Sequence, residues 1–581
     1  MAFLRNLLAT LVGLFLFTFI GFMILVGIAS VASSGEVPTV KKNSVLYFNL
    51  SGVLVEKAAE DPIQELISNA PVPVSSIDII EAIQEAKEDD RIKGIYLESG
   101  FFVAGQSSLK EIREALLDFK ESGKFVYGYG EYISEANYYL ISTADKIYLN
   151  PEGSLEFNGL TANVTFFKGL LDKLEIEPEI FRVGTYKSAV EPFLRKDMSE
   201  ENKEQLTELI ESIHATYLSD VSDNLNATVE DLKAISDQME IRFPEDAEKK
   251  GLVTKVAYED EIKDLIREEI GIEKDGKINF MTVNNYSKAI KAERTEYSGN
   301  KVAVIVANGE IIMGKAEDAI GGEQFASEIR KARESKSVKA IVLRVNSPGG
   351  SMTASDMIWR EIELTRGVKP IIASMSDVAA SGGYYISAPC DTIVAQPNTI
   401  TGSIGIFGIL FNFGDFLENK LGITNDAVKT GDYSDIFNVT RSLNVQERQI
   451  IQSMVNDGYE TFISKVAAGR GMSKEDVLEV AGGRVWTGEQ AYERKLVDVL
   501  GSFDDAVKIA AEKAGVADDY RLSFYPRPKP FVEQILGKLS DEADARLFHR
   551  NNIINSYVKQ IESLQRMNGI QAILPGNLSI Q

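Results

Sequence analysis

The chain has 581 residues, 44% of them hydrophobic and 25% charged, which is typical of a globular protein with two or three domains. Its 62 basic and 86 acidic residues give a net charge of −24, which argues against a nucleic acid partner because phosphates require a basic surface. With only His214, His549 and one cysteine, Cys390, the composition argues against a Ser-His-Asp triad, a metal site and an intrachain disulfide, and we expect no cofactor.

Near the N-terminus, residues 7–32 carry no charged side chain. As a helix this segment would be roughly 39 Å long, enough to cross the ~30 Å hydrocarbon core of a bilayer with some tilt. A cleavable signal peptide usually has a shorter apolar core, although the small residues at 29–34 resemble a cleavage site. We therefore expect a retained anchor in the lipid bilayer, with a cleaved signal peptide as the alternative. Arg5 before the segment and Lys41 after it leave the orientation ambiguous.

Both halves of the remaining chain alternate buried strands with amphipathic helices, the pattern of a parallel sheet with crossover helices. In the first half we predict strands at 44–55, 92–97 and 125–129 and a helix at 77–86. In the second half we predict strands at 301–306, 338–345 and 371–374 and a helix at 323–334.

The two halves match each other in order and spacing. Tyr138 and Tyr384 are 246 positions apart, and Val253 and Val497 are 244 apart, each pair within a similar short motif. Such near-constant spacing indicates a tandem duplication. We therefore predict an α/β fold with two copies of one domain, at 44–290 and 291–525, joined within 284–300. Residues 1–43 would form a cytoplasmic stub, the anchor and a linker, and 526–581 a tail for which the sequence suggests no role.

The second copy contains a serine among small residues, Ser381, in the sequence VAASGGYY at 378–385. Small residues let a helix begin close to the end of a strand, and its first N–H groups can stabilise a negative charge. A serine there can attack a carbonyl group while a neighbouring N–H binds the oxyanion. Taken alone, the stretch is better explained as a tightly packed helix.

Comparison of the two copies changes this interpretation. The first copy has Glu135 at the position of Ser381, and ESGFF at 98–102 in place of the glycine turn NSPGG at 346–350. Conversely, Lys187 of the first copy aligns with Ser434 of the second. Without a suitable histidine, a lysine can activate a serine if burial keeps its amine neutral. Each copy thus contains one part of a Ser-Lys pair, although an exposed loop lysine would explain Lys187 as well.

Several motifs resemble those of bacterial signal peptide peptidase A in its long, duplicated, membrane-anchored form. They are, in chain order, YKSAVEPF at 186–193, RVNSPGG at 344–350, AASGGYY at 379–385, TGSIG at 401–405 and GRVWTG at 483–488. The resemblance covers about residues 1–525. It implies a serine–lysine dyad protease of peptidase family S49, with a fold like that of crotonase and the Clp protease.

The same resemblance assigns roles by motif. Ser381 would be the nucleophile, Lys187 the general base and Ser403 the residue that orients the lysine. Gly349 and Gly382 would supply the oxyanion amides, with Gly350 as the alternative to Gly349. The resemblance also implies a homotetramer with a single membrane pass in the bacterial cytoplasmic membrane. Its catalytic domains would lie on the periplasmic side and degrade residual signal peptides and other apolar peptides.

Two other functions are compatible with the sequence. A membrane scaffold with the same fold could bind peptides without cleaving them, although the combination of Ser381, Lys187 and Ser403 argues against it. An acyl-CoA enzyme of the crotonase type would also use glycine-turn amides, but it would explain neither the anchor nor Lys187. The sequence does not indicate whether Lys187 and Ser381 pair within one chain or between chains.

Overall fold

Strands and helices alternate along the chain in the computed structural model, which describes residues 2–33, 37–57, 73–294, 298–315, 319–526, 569–573 and 579–580. The helices are α1 (Ala2–Ser33), α2 (Ser76–Glu88), α3 (Gln106–Lys120), α4 (Glu135–Ile141), α5 (Lys168–Leu174), α6 (Glu191–Leu194), α7 (Glu200–Ser222), α8 (Val229–Asp237), α9 (Pro244–Lys249), α10 (Glu259–Glu269), α11 (Val283–Glu293), α12 (Gly322–Glu334), α13 (Met352–Thr365), α14 (Gly382–Ser387), α15 (Val445–Arg470), α16 (Lys474–Val480), α17 (Gly488–Glu493) and α18 (Phe503–Lys513).

The strands follow the same alternation. They are β1 (Ser44–Val55), β2 (Val74–Ser75), β3 (Ile92–Val103), β4 (Phe125–Ile133), β5 (Lys146–Leu155), β6 (Ala162–Asn163), β7 (Glu177–Arg182), β8 (Lys255–Val256), β9 (Asn279–Thr282), β10 (Lys301–Asn308), β11 (Ile311–Ile312), β12 (Ile320–Gly321), β13 (Val338–Ser347), β14 (Gly349–Ser351), β15 (Ile371–Ala380), β16 (Thr392–Ala395), β17 (Ile400–Gly402), β18 (Phe407–Asn412), β19 (Val485–Thr487), β20 (Val499–Leu500), β21 (Arg521–Tyr525), β22 (Gly569–Ile573) and β23 (Ser579–Ile580).

The first half of the chain forms a sheet in the order β2-β1-β3-β4-β5-β8, with β9 beside β1, and its described pairings are parallel. Helix α2 begins where Ser75 accepts a hydrogen bond from the N–H of Asp78, which satisfies a free donor of the first turn. Its apolar face, which includes Ile79 and Ile83, is buried in the hydrophobic core of the first half. The strands and the helix predicted for this half are confirmed.

The second half repeats this arrangement in the order β19-β17-β15-β13-β10-β21, with β16 beside β15 and β20 beside β16. Its pairings are parallel except that β19 runs antiparallel to β17. Phe325, Ile329 and Ala332, which form the predicted apolar face of α12, are buried. The predicted mixed α/β architecture with parallel sheets in both halves is confirmed.

A third sheet joins the two halves. Its strand order is β12-β11-β14-β22-β18-β7, in which β7 comes from the first half and β14 and β18 from the second. β7 pairs antiparallel with β18 from Glu177 opposite Asn412 to Arg182 opposite Phe407. Because Lys187 follows β7 closely along the chain, this pairing carries the lysine from the first half into the second.

A buried ion cluster also connects the halves. The Arg344 guanidinium lies 2.7 Å from a carboxylate oxygen of Glu56 and 2.7 Å from one of Glu111, and all three side chains are almost fully buried. Arg344 lies in β13, the strand that leads to the glycine turn at 346–350. Burial raises the pKa of Glu111 to about 7 although Arg344 favours its charged form. The cluster therefore fixes the start of the turn against the first half.

The N-terminal segment is helical from Ala2 to Ser33. Large apolar side chains are exposed along it, among them Phe3, Phe15 and Phe17. In the parts of the chain that the structure describes, no helix meets the length and apolarity required of a membrane span.

The region predicted to join the copies, 284–300, contains most of α11 (Val283–Glu293). The proposed boundary between 290 and 291 therefore falls inside a helix. Tyr286 and Ile290 are buried in the core of the first half, so α11 packs with the first copy.

Candidate active site

Ser381 lies at the turn between β15 and α14, the strand-to-helix junction expected from the sequence. Its backbone has φ 56° and ψ −112°, a conformation that a residue with a side chain rarely adopts. The Ser381 N–H donates to Gly402 O at 2.8 Å, and the Tyr385 N–H donates to Ser381 O at 2.8 Å. These two bonds hold the strained turn in place, and the side chain is fully buried.

Lys187 lies between β7 and a single 3₁₀ turn, Ser188–Val190, and it is completely buried. An exposed loop lysine is therefore the wrong interpretation of this residue. Two glycines of the second half enclose it: a Cβ atom at Gly483 would lie 2.6 Å from Lys187 Cβ, and one at Gly405 would lie 3.2 Å from Lys187 Cδ. Any larger residue at Gly483 would collide with the lysine, which explains the glycine in the GRVWTG motif.

The Lys187 amine contacts three oxygen atoms. Lys187 Nζ lies 2.8 Å from Ser381 Oγ, 3.0 Å from Ser403 Oγ and 3.2 Å from Ser403 O. A neutral amine has two N–H groups and one lone pair. In that form it can donate to both oxygens of Ser403 and accept the hydroxyl proton of Ser381, as a general base must.

Burial favours the neutral form of the amine. Removal from water disfavours the charged amine and places the pKa of Lys187 well below that of a free lysine. Glu191, the acidic residue nearest in sequence, is engaged elsewhere: its carboxylate accepts hydrogen bonds from the Ser199 N–H and the Asn202 side chain, each at 3.1 Å. The site therefore holds a lysine able to accept a proton.

Ser403 follows β17 and has a positive φ of 50°. Its N–H donates to Arg484 O at 2.7 Å, which ties it to the loop before β19. Both its carbonyl and its hydroxyl thereby point at the amine of Lys187. Geometrically it has the orienting position that the family resemblance implies.

The glycine turn reaches the start of α14. Gly349 has φ 97°, and a Cβ atom there would lie 2.5 Å from the amide nitrogen of Gly382. Gly350 lies opposite Ile311 in the β11 pairing, and a Cβ atom there would lie 2.0 Å from Ile311 O. The structure thus places Gly349, rather than Gly350, beside Gly382. The Gly349 N–H donates to Ser347 Oγ at 3.2 Å, so Ser347 is a further residue of the site.

The corresponding positions of the opposite copies have other roles. Glu135 accepts hydrogen bonds from the Asn158 and Gly159 N–H groups, at 3.1 and 3.0 Å, in the first half. Ser434 is exposed, and its hydroxyl donates to Gly431 O. Neither position can therefore take part in a second pair of this kind. The Ser381–Lys187 contact forms within one chain, which the sequence alone did not indicate.

Sequence reasoning missed one element of the site, the strand β22 in the tail. It lies between β14 and β18, next to Gly349. The alternating apolar residues Ile570 and Ala572 were the available signal. Two such residues in a long tail are too few to predict a strand from the sequence pattern. The predicted tail region otherwise lies largely outside the described residues, as does His549.

Comparison with known proteins shows the family of this chain. The family model described as "Peptidase family S49" matches residues 118–273 and 363–517, once in each half. It is 37% identical to Protease 4 from Salmonella typhi, over 90% of this chain and 87% of that protein. It is 35% identical to the chloroplastic serine protease SPPA of Arabidopsis thaliana, over 84% of this chain and 72% of that protein.

A solved structure of a ClpP1 mutant from Listeria monocytogenes is 16% identical, covers 36% of this chain and 95% of its own, and has a TM-score of 0.23. A score of this size establishes no common fold. The paired matches and the two relatives do establish the family: this chain is a serine protease that belongs to peptidase family S49.

Proposed function

We propose that the chain is an endopeptidase in which Ser381 is the nucleophile and Lys187 the general base. The observation that carries this proposal is the 2.8 Å contact between Lys187 Nζ and Ser381 Oγ, made by a lysine whose pKa burial lowers. Ser403 orients the amine through two hydrogen bonds, so that its lone pair faces the serine. Gly349 and Gly382 provide the amides that bind the oxyanion, for which the Gly349 N–H exchanges its acceptor Ser347 Oγ for the substrate oxygen.

The reaction proceeds through an acyl-enzyme. Ser381 Oγ attacks the substrate carbonyl carbon as Lys187 Nζ takes the hydroxyl proton. The tetrahedral intermediate collapses, the C–N bond breaks, and Lys187 returns the proton to the leaving amine. Water then attacks the ester as Lys187 takes a proton from it. The bond between the acyl carbon and Ser381 Oγ breaks, Lys187 returns the proton to Ser381 Oγ, and the acid product leaves.

The substrates are apolar peptides, among them signal peptides left in the membrane after their release. The resemblance to signal peptide peptidase A supports this choice. β22 lies between β14 and β18 and pairs with both, so an extended peptide that replaced β22 would be held by the same two strands. Apolar residues of β18, such as Phe407 and Ile409, belong to the buried core there.

A cleavage assay tests the dyad. The purified protein should cleave a short apolar fluorogenic peptide, and Ser381→Ala and Lys187→Ala should each abolish cleavage while circular dichroism remains unchanged. The double variant should be little worse than either single one, because residues that act as a unit are not additive. A non-catalytic scaffold, which the relatives do not favour, would bind the peptide and leave it intact. Folded Ser381→Ala with full activity would refute the proposal.

We further propose that α1 anchors the protein in the bacterial cytoplasmic membrane, with both protease copies on the periplasmic side. The uncharged sequence at 7–32 and the exposed Phe3, Phe15 and Phe17 support an apolar surrounding for this helix. Protease added to intact spheroplasts should digest the body of the protein. Digestion only after lysis would contradict this orientation.

The remaining proposals concern fold and assembly. We propose that each copy has the fold that crotonase and the Clp protease share, and that the chain forms a homotetramer, both on the strength of the family resemblance. Light scattering on the detergent-solubilised protein measures the assembly. A monomer at every concentration would contradict the oligomer.

A further inference from the structure

A β-bulge interrupts the pairing of β13 with β15 just before the active site. The register of the two strands shifts between Val345 and Ser347. Asn346, the residue between them, therefore faces residues 376–378 of β15, where a regular ladder would place one residue. Beyond the bulge β13 leads to the glycine turn, and β15 ends beside Ser381. The bulge thus lies where the two arms of the site, one to the glycine turn and one to the nucleophile, separate.

The side chain of Asn346 spans this bulge. Its Oδ1 accepts a hydrogen bond from the Val378 N–H at 3.2 Å, and its Nδ2 donates to Glu56 Oε1 at 3.1 Å and to Asp377 Oδ2 at 3.4 Å. These partners fix the orientation of the amide, because a main-chain N–H can only donate and an ionised carboxylate can only accept. One side chain therefore pairs a main-chain donor of the bulge and joins β13 to β15.

Both carboxylates connect Asn346 to the first half of the chain. Glu56 directly follows β1 and lies 2.7 Å from the Arg344 guanidinium. Asp377 accepts hydrogen bonds from the N–H and the hydroxyl of Ser108, at 2.8 and 2.7 Å, in the first turn of α3. The position of Asn346 is thus fixed by the half that also supplies the lysine of the dyad.

The residue after Asn346 contacts both arms of the site. The hydroxyl of Ser347 accepts a hydrogen bond from the Gly349 N–H at 3.2 Å. The carbonyl group of Ser347 lies against the start of α14, where a Cβ atom at Gly383 would lie 2.6 Å from Ser347 O. A shift of β13 at Asn346 would therefore move the Gly349 amide relative to Ser381. A misplacement of about 1 Å in an active site can cost roughly 100-fold in rate.

We propose that Asn346 is a positioning residue that sets the distance between the Gly349 amide and Ser381 Oγ. It acts through the backbones of β13 and β15 rather than on the substrate. The inference rests on the proposed dyad and oxyanion site, and it adds the residue that fixes one relative to the other. Because the amides bind a negative charge that develops only in the transition state, a displaced amide should lower kcat and leave KM nearly unchanged.

Kinetics of Asn346→Leu on the fluorogenic peptide test the proposal. Leucine has a similar volume but no polar atom, so the bulge loses all three hydrogen bonds of the amide. We expect kcat to fall roughly 100-fold, with KM within about twofold of the wild-type value.

Asn150→Leu is the matched control. The Asn150 side chain accepts a hydrogen bond from the Glu152 N–H at 2.9 Å and donates to Tyr129 Oη at 3.0 Å. It lies beside a register shift between β4 and β5, in the first half. This variant removes the same kind of bonds from the same kind of irregularity, and it should keep the wild-type kcat.

Asn346→Asp supplies a readout that a loss of stability alone would not move. The introduced carboxyl keeps an oxygen for the main-chain N–H, and when protonated it can still donate to Glu56. When ionised it loses that donor and adds negative charge. The charged groups around it are Glu56 and Asp377, with Arg344 and Glu111 beyond them. The ratio of its kcat to that of the wild type should therefore fall as the pH rises, whereas the wild-type kcat itself rises.

The outcomes separate this inference from the proposed function. If Ser381→Ala is inactive while Asn346→Leu keeps the kcat of the control, the positioning role is wrong and the dyad stands. An equal loss of kcat in the control, or a raised KM with unchanged kcat in Asn346→Leu, would also overturn the inference. A kcat ratio for Asn346→Asp that does not change with pH would overturn it even if the leucine variant does not fold. If Ser381→Ala cleaves the peptide at the wild-type rate, the proposed function itself fails.

Discussion

Substitution of Gly349 by alanine tests the assigned oxyanion site. Gly349 has φ 97°, where a residue with a side chain is strained by roughly 1–2 kcal/mol. The added Cβ would lie 2.5 Å from the Gly382 nitrogen and 2.1 Å from Ala572 O. Both neighbours are backbone atoms, so no change of rotamer can relieve the contacts. The methyl group must therefore displace Gly382 or β22, and so move the amides of Gly349 and Gly382 apart.

The expected loss follows from one disabled donor. Removal of a single oxyanion donor costs about 2.7–4 kcal/mol of transition-state stabilisation, or roughly 100- to 1,000-fold in kcat. We therefore expect Gly349→Ala to lose about that factor in turnover of the fluorogenic peptide. Its thermal stability should fall by the modest amount that a strained residue causes.

Gly367→Ala is the matched control. Gly367 has φ 74°, and a Cβ atom there meets nothing within 4 Å. This variant should show a similar loss of stability, measured by thermal denaturation, with no change in kcat. If Gly349→Ala folds and retains the activity of the control, the oxyanion site lies elsewhere and the reasoning is refuted.

Four further predictions concern the dyad, the oxyanion site and the buried cluster around Arg344. Lys187→Arg should be inactive, because arginine keeps its proton at working pH. In the wild type, burial lowers the pKa of Lys187, so activity should rise with pH through that pKa. The free energy of unfolding should also rise with pH from that pKa up to the ~10.4 of a free lysine, because over this range the unfolded chain binds more protons than the folded one. Gly382→Pro removes the amide at the first residue of α14 and should cost roughly 100- to 1,000-fold in kcat. Because a Cβ atom there would lie 2.8 Å from Ser355 Oγ, circular dichroism must show that this variant folds before its activity is compared. Arg344→Met leaves the buried carboxylates of Glu56 and Glu111 unpaired and should lower the free energy of unfolding by about 3–5 kcal/mol in denaturant titration; an unchanged midpoint would contradict the role of this cluster.

The fold could be predicted where apolar runs report burial. The strand predicted at 338–345 corresponds to β13, because both faces of a central parallel strand are buried and its middle, at 340–343, is continuously apolar. The strand predicted at 371–374 was too short, since β15 continues to Ala380. That extension contains Ser376 and Asp377, whose polar side chains belong to the cluster around Arg344 and carry no apolar signal.

The site could be predicted in part. The complementary losses in the two copies indicated Lys187 and Ser381, and the structure brings these side chains together; their catalytic roles stay predictions. The backbone of Ser381, with φ 56°, could not be predicted, because tertiary hydrogen bonds impose it against local preference. The pairing of β7 with β18 could not be predicted from the sequence either, because it joins residues that are far apart along the chain.

Covalent labelling measured against pH tests the central claim most directly. A fluorophosphonate reacts with an activated serine, and mass spectrometry of the digested protein identifies the modified residue. We predict that Ser381 of the wild type is modified, at a rate that rises with pH as Lys187 loses its proton. The reaction should be lost in Lys187→Met, which keeps the length and burial of the side chain but has no amine. Modification of Ser381 in Lys187→Met at the wild-type rate would contradict the account, because the serine would then be activated by a group other than Lys187.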